Sequence, residues 1–386
     1  MKCPENPRFY SHPGGGGCSV SELVVPLGVL TNGGSDALAG ATTAIFMGCS
    51  VLTQWNTPRA LRRFGYTPVM VFAAIMLGVP ALGHITLDDA PFVLALSAFR
   101  GIGFGALTVA ESALVAELVP KRFLGRASGL LGLAIGLAQL VGLPLGVWLA
   151  TEYSFTSVYV LGAVVGLLAA VACIFIPWIV AEGGGSGSDD SIPWRAVVVP
   201  CVGITTVAMG FGAVSSFLPA ASSSGMVAGL ILAVVGGAQM IARYLAGVTA
   251  DRMGGPGLLL IPSLGCGVAG LVIVSLALLL GWPAWVLLVG ALVFGSGFGA
   301  IQNETLLLLF DSLPRTRLSD GSAIWNMAFD GGTGVGSLIL GVVAVRMAYP
   351  ETFVVATFLV AVGLAVVWAR VFPRIDLRQV GPPRKA

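Results

Sequence analysis

Gly101-Ile102-Gly103-Phe104-Gly105-Ala106 recurs as Gly295-Ser296-Gly297-Phe298-Gly299-Ala300, 194 residues further on, and each copy lies inside a long apolar stretch. At the same offset Leu114 matches Leu308, Glu117 matches Asp311, Pro120 matches Pro314 and Ser128 matches Ser322. A second set agrees at an offset of 189: Ala39-Gly40 with Ala228-Gly229, and Arg63-Phe64-Gly65 with Arg252-Met253-Gly254. Two offsets this close mean that one half of the chain duplicates the other.

The chain has 386 residues, 56% hydrophobic and only 10% charged, with a mean hydropathy of +0.94. A soluble domain carries roughly 25% charged residues. So little charge cannot cover a surface facing water, and lipid must cover it. The 54 glycines suit membrane helices that pack backbone to backbone. A net charge of +2 gives no reason to expect a nucleic-acid partner. Cys49, Cys173, Cys201 and Cys266 fall in apolar segments and read as small packing residues; Cys3 and Cys18 are free to pair if their tail is extracytoplasmic. With only His12 and His84 present, no histidine metal or catalytic site is expected. No nucleophile–base pair, metal-ligand spacing or phosphate loop appears, so an enzyme is disfavoured and no cofactor is expected. A duplicated apolar chain is instead the pattern of a secondary transporter.

A membrane helix needs about 20 apolar residues. Eleven stretches qualify: 35–56, 66–87, 91–117, 124–151, 154–181, 195–219, 224–250, 256–280, 282–310, 317–346 and 350–372. The expected fold is all-α, with two pseudo-symmetric helical bundles of eleven full-length spans. Val24 to Leu30 reads as the outer end of a further, truncated first helix. Basic residues gather in alternate loops: Arg59, Arg62 and Arg63, then Lys121, Arg122 and Arg126, then Arg195, Arg252, Arg315 and Arg317, then the tail from Arg374 to Lys385. That set is expected to be cytoplasmic, C-terminus included. The domains follow: a polar Gly-rich segment 1–20, an N-terminal bundle 21–181, a flexible acidic cytoplasmic linker 182–194, a C-terminal bundle 195–372 and a basic tail 373–386.

The segment Gly247-Val248-Thr249-Ala250-Asp251-Arg252-Met253-Gly254 has the form Gly-x-x-x-Asp-Arg-x-Gly, and Arg243 precedes it. On this motif the chain resembles the major facilitator superfamily, in its drug/proton-antiporter branch, over nearly all of Val24 to Pro373. The resemblance implies two six-helix halves around a central cavity, a cell-membrane location and a monomer. The first half keeps Arg59, Arg63 and Gly65 but has Arg62 where the aspartate belongs, which puts a symmetric gate in doubt. The family's Arg-x-x-Gln-Gly on the fourth helix is only approximated, with Ser97, Arg100 and Gly101 in its places. Gly132, Gly136, Gly142, Pro144 and Gly146 approximate the antiporter Gly-Pro motif, a hint of export and equally a face for close helix packing.

Several polar residues lie deep within spans. Arg100 is open between binding a substrate anion, tuning a nearby carboxylate and a structural ion pair. Glu111 follows it by about three turns on the same helix. Asn303 and Glu304 occupy similar depth in the second half, with Glu304 the more structural. Asp330 sits mid-span between Asn326 and Gly331. An ionised carboxylate is expensive there, so a group that gains and loses a proton is the natural reading. Asp330 and Glu111 are the proton-coupling candidates. Arg100, Asn303, Glu304, Asn326 and Trp325 are cavity candidates. The other tryptophans crowd span ends as an interfacial belt. The expected function is proton-coupled efflux of a small organic molecule. Uptake of a sugar, amino acid or organic anion, and a non-transporting receptor or inactive truncated copy, are the competing readings.

Overall fold

The computed structural model describes residues 25, 28–29, 35–85, 89–181, 192–221 and 225–371. Among them all regular structure is helical. The helices are α1 (Asp36–Phe64), α2 (Tyr66–Gly78), α3 (Pro80–Gly83), α4 (Ala90–Leu118), α5 (Leu124–Glu152), α6 (Phe155–Ile174), α7 (Trp194–Ala221), α8 (Gly225–Met253), α9 (Leu260–Leu279), α10 (Ala284–Ser312), α11 (Leu318–Arg346) and α12 (Tyr349–Val371). The longest have 29 residues, or ~43 Å, more than the ~30 Å hydrocarbon layer. Ten spans are long and apolar enough to cross a membrane, α2 and α3 counting as one.

α1 is a further long helix beside those ten, its apolar run diluted by hydroxyls and amides. The expected spans need two corrections. α1 runs on past residue 56 through Pro58, so Arg59, Arg62 and Arg63 ride its last turns rather than a loop. The Asn56 amide and Thr57 hydroxyl bond the Leu52 and Thr53 carbonyls around the break that proline brings. α6 stops at Ile174, and residues 177–181 run extended beneath α2, where the Ile179 carbonyl accepts the Tyr66 N–H at 2.8 Å. The segment 1–20, most of residues 21–34 where a truncated first helix was expected, linker residues 182–191, the tail 373–386, and Cys3 and Cys18 lie outside the described residues. Val25 packs on Ala150, Val158 and Tyr159 of α5 and α6, as α7 packs on α11 and α12.

The duplication recurs element by element. α1 matches α8, α2 matches α9, α4 matches α10, α5 matches α11 and α6 matches α12. The offset changes between α1 and α2, where one residue, Gly65, corresponds to the longer turn 254–259. Gly65 (φ 83°) and Gly254 (φ 85°) stop the matched helices in a backbone conformation that suits glycine. The repeated run explains the packing. A Cβ at Gly103 would lie 2.6 Å from the Ala73 carbonyl, and one at Gly297 would lie 2.6 Å from the Gly267 nitrogen. Ala73 and Gly267 are themselves equivalents. The flanking Gly101 and Gly105 meet the Phe46 and Ser50 carbonyls of α1, and Gly295 and Gly299 meet those of Val235 and Gln239 of α8. Each bundle thus wraps its first and second repeated helices around one glycine-faced helix.

The halves meet along two seams, α5 against α8 and α11 against α1, which the duplication exchanges. These helices carry Arg62, Arg126 and Asp251 at one end, the basic end of the molecule.

Candidate functional site

The two seams use equivalent positions in opposite ways. On α5, Gly125, Gly129, Gly132 and Gly136 share one face and meet α8 at Gly247, Tyr244, Arg243 and Met240. On α11 the equivalents are Ser319, Ala323, Asn326 and Asp330. One seam is therefore packed on glycines, with Asp251 bonded at its end, and the other is held by side-chain hydrogen bonds along its length.

Those bonds begin at the basic end. Arg62 of α1 donates to both carboxylate oxygens of Asp320 at 3.2 Å and reaches the Ser319 hydroxyl at 3.5 Å. Arg317 joins the same carboxylate at 3.1 Å. Deeper, the Ser322 hydroxyl donates to the Val109 carbonyl at 2.8 Å and lies 2.8 Å from the Ser112 hydroxyl. The Asn326 amide donates to Ser322 O at 2.9 Å and to Thr108 O across the seam at 3.4 Å. Near the middle of α11, the Gln54 amide donates to Asp330 Oδ2 at 2.5 Å. Gln54 is fully buried, Asp330 nearly so.

The gate motif shows the same inversion in its charges. Asp251, at the end of α8, accepts the backbone N–H groups of Gly125 (2.8 Å) and Arg126 (2.9 Å), with Arg126 Nε at 3.7 Å. These N–H groups open α5, where the helix dipole favours an anion, and each charge-assisted bond is worth roughly 1.5–3 kcal/mol. Arg62 is the equivalent of Asp251, and Asp320 of Arg126, so both partners have changed sign. In both seams the carboxylate sits at the start of α5 or α11. In one it comes from across the seam; in the other it belongs to α11's own first turn and the arginine crosses. Gly247 lets the helices close: a Cβ there would strike the Gly125 backbone and lie 2.9 Å from the Asn303 amide. Arg59 turns back to Asn56, Arg63 covers Phe64, and Arg252 is exposed, so none of the three reaches the seam.

The other singled-out residues are dispersed. Arg100 is 1% exposed, with the Phe46 ring 5.8 Å from its guanidinium. Beyond the end of its span, burial and then the Arg100 charge pull the His84 imidazole down to about 4. Glu111 is half-buried on α4. Arg243 donates to Gln302 Oε1 at 3.2 Å and lies 5.8 Å over the Trp325 ring. Trp325 stacks on Phe329 at 5.5 Å and donates to Thr305, while Phe329, Phe298 and Phe294 continue the stack. Glu304 accepts the Gly257 and Leu259 N–H groups at 3.1 and 2.7 Å and so holds the start of α9. Asn303 is enclosed between helices. Gly132 and Gly136 face α8; further along α5, Gly142 is half-buried, Pro144 exposed and Gly146 buried. Sequence reasoning missed Gln54 and Asp320 and gave Arg243 no role, though Arg243 is the duplicate of Gln54 at offset 189. Among the described residues no cluster of three metal-ligating side chains occurs.

A family model described as Major Facilitator Superfamily matches residues 16–332. The chain belongs to the major facilitator superfamily. Curated relatives include uncharacterised MFS-type transporters of Mycobacterium tuberculosis, strains CDC 1551 / Oshkosh and ATCC 25618 / H37Rv. Each is 38% identical over 90 residues, 23% of this chain and 12% of its own length. The chain thus matches only about an eighth of those relatives. Among solved structures, the superfamily's proton:xylose symporter XylE superposes with a TM-score of 0.74 and 16% identity, over 91% of this chain and 95% of that one. This likeness shows the fold: two bundles of membrane helices.

Proposed function

We propose that this transporter is a proton-coupled exporter of small organic molecules in the cytoplasmic membrane, acting as a monomer by alternating access. The basic end is then cytoplasmic, as the alternation of arginine-rich and arginine-free loops supports. The Gln54–Asp330 bond carries the reading. It puts a carboxyl near mid-bilayer, where a lone charge is expensive, in the grip of the opposite half. Such a group can load a proton on one side and release it on the other as the halves rock. Asp330 is the principal coupling group. Glu111 is the second.

The two ion pairs, Asp251–Arg126 and Arg62–Asp320, with Gly247 at the close approach, form the cytoplasmic gate. Asn326 lies on the seam itself and is the cavity candidate best placed to meet substrate. Arg100, Asn303, Glu304 and Trp325 hold the walls. Linker 182–194 joins the bundles 21–181 and 195–372 on the cytoplasmic side.

Proton-linked uptake is the second reading, favoured by the fold neighbour's being a proton:xylose symporter. A growth-protection screen over a panel of toxic compounds tests export. Protection by the intact gene, lost with Asp330→Asn, is the expected result. Equal protection by both would remove Asp330 from coupling. Proton-driven uptake into inside-out vesicles separates export from cellular import.

A further inference from the structure

Gln54 is an amide on α1, in the N-terminal half, and its carboxyl partner is on α11, in the other half. The hydrogen-bonded face of α11 runs Ser319, Ser322, Asn326, Asp330, about one turn apart. Each member bonds to α1 or α4, and the Gln54–Asp330 bond is the deepest of those described. One turn further along, Gly334 is exposed and a Cβ built on it meets nothing within 4 Å, while Thr333 and Ser337 beside it turn to α7, so the bonds of this face to α1 and α4 end at Asp330 among the described residues. Asp330 therefore stands where the sealed part of the seam ends.

Gln54 is fixed for this task. It is 0% exposed, and Ser50 one turn away steadies the same amide nitrogen at 3.4 Å. Its own carbonyl Oε1 is buried without a hydrogen-bond partner among the described residues. An amide turned the other way would point that oxygen at Asp330 and repel an ionised carboxylate. The duplicate of Gln54 is Arg243, which also lies at a seam, its side chain against Gly132 of the other half. The same helix position thus faces the opposite bundle in both seams.

We propose that Gln54 is the positioning residue for Asp330, and that its bond makes occupancy of Asp330 and release of the cytoplasmic seal one event. A proton or substrate group arriving at Oδ2 competes with the Gln54 N–H. Losing that bond frees the deep end of the seal, which the remaining bonds hold less firmly. This inference rests on the coupling role given to Asp330 above.

The test is a double-mutant cycle on seal opening in the full chain, reconstituted in liposomes. The reporter is Ala323→Cys, a buried α11 position packed in the N-terminal bundle's core. Its maleimide labelling from the cytoplasmic side is read by peptide mass spectrometry. Gln54→Met keeps the volume and removes the donor; Gln54→Ala is the second variant should the first not fold. Asp330→Asn and Gln54→Met are each expected to raise the labelling rate about five-fold, and the double variant to stay near five-fold rather than ~25-fold. Additive effects, or labelling unchanged by Gln54→Met, would overturn the proposal. Transport separates the two levels: if Asp330→Asn leaves coupling intact, the coupling role fails, whatever the cycle gives. If coupling is lost and the cycle is additive, only the role of Gln54 fails.

Discussion

Gly297 illustrates what single residues do here. A methyl group there would press on backbone atoms of α9, which cannot swing aside as a flexible side chain can. Gly297→Ala should lower stability by about 1–3 kcal/mol, the usual range for overpacking. Gly229→Ala, inside α8 where an added Cβ meets nothing within 4 Å, should instead be stabilising by about 0.4–1 kcal/mol. Thermal unfolding in detergent measures both. His84 gives a pH prediction. Its folded value is about 4 against an ordinary 6.5, so the native imidazole resists charging. Stability is unaffected above the unfolded value. It falls as pH drops from 6.5 toward 4 and then levels, since only the unfolded chain takes up the proton in that window. His84→Phe should flatten that part of the melting-temperature profile. An unchanged slope would show the histidine to be already charged or exposed. The glycine pattern was legible because duplication repeats it in the sequence. Gln54 was not, because one amide in a hydroxyl-rich helix resembles many others until its partner, 276 residues away, is known.

Among the elements, α5 and α11 differ most from what their common origin suggests. Four glycine positions on one have become hydrogen-bonding or small residues on the other, and the gate pairs have exchanged charge. Arg62 was visible in the sequence as a lost aspartate. Its compensation was hidden, because Asp320 belongs to no motif and meets Arg62 only across the seam. The inversion makes a sharp prediction. Arg62→Asp sets two carboxylates against each other and should speed labelling of Ala323→Cys from the cytoplasmic side. Adding Asp320→Arg rebuilds the arrangement of the other seam and should return labelling close to wild type. Failure of the double reversal to restore the seal would mean that the pair does not hold it. The two latches should also differ in strength. Asp251→Ala strands two backbone N–H groups and should cost ~2–4 kcal/mol. Arg62→Ala loses a partly exposed pair worth roughly 1 kcal/mol or less. Unfolding of the two variants side by side gives the comparison. The end of α1 was placed too early because Pro58, a residue type that commonly ends helices, is carried within it, and the end of α6 too late because the apolar run continues through Pro177, just past the helix.

At the scale of the molecule, low charge and tandem repetition were enough to give the membrane class and the paired bundles. They could not give the closure of the seams, which depends on contacts between halves that no local pattern records. Alternating access requires the basic ends of the halves to part. Lys121 and Asp311, an exposed ion pair between the halves with N–O 3.3 Å, are well placed to report this, since such a pair contributes little of its own. Spin labels at these two positions, in a chain otherwise free of reactive cysteines, give their separation by double electron–electron resonance. Rocking of two bundles predicts a short distance in the wild type and growth of a second population, longer by about 10 Å, the scale of one helix diameter, in Arg62→Asp and Asp330→Asn. A single short distance in all three proteins would contradict it.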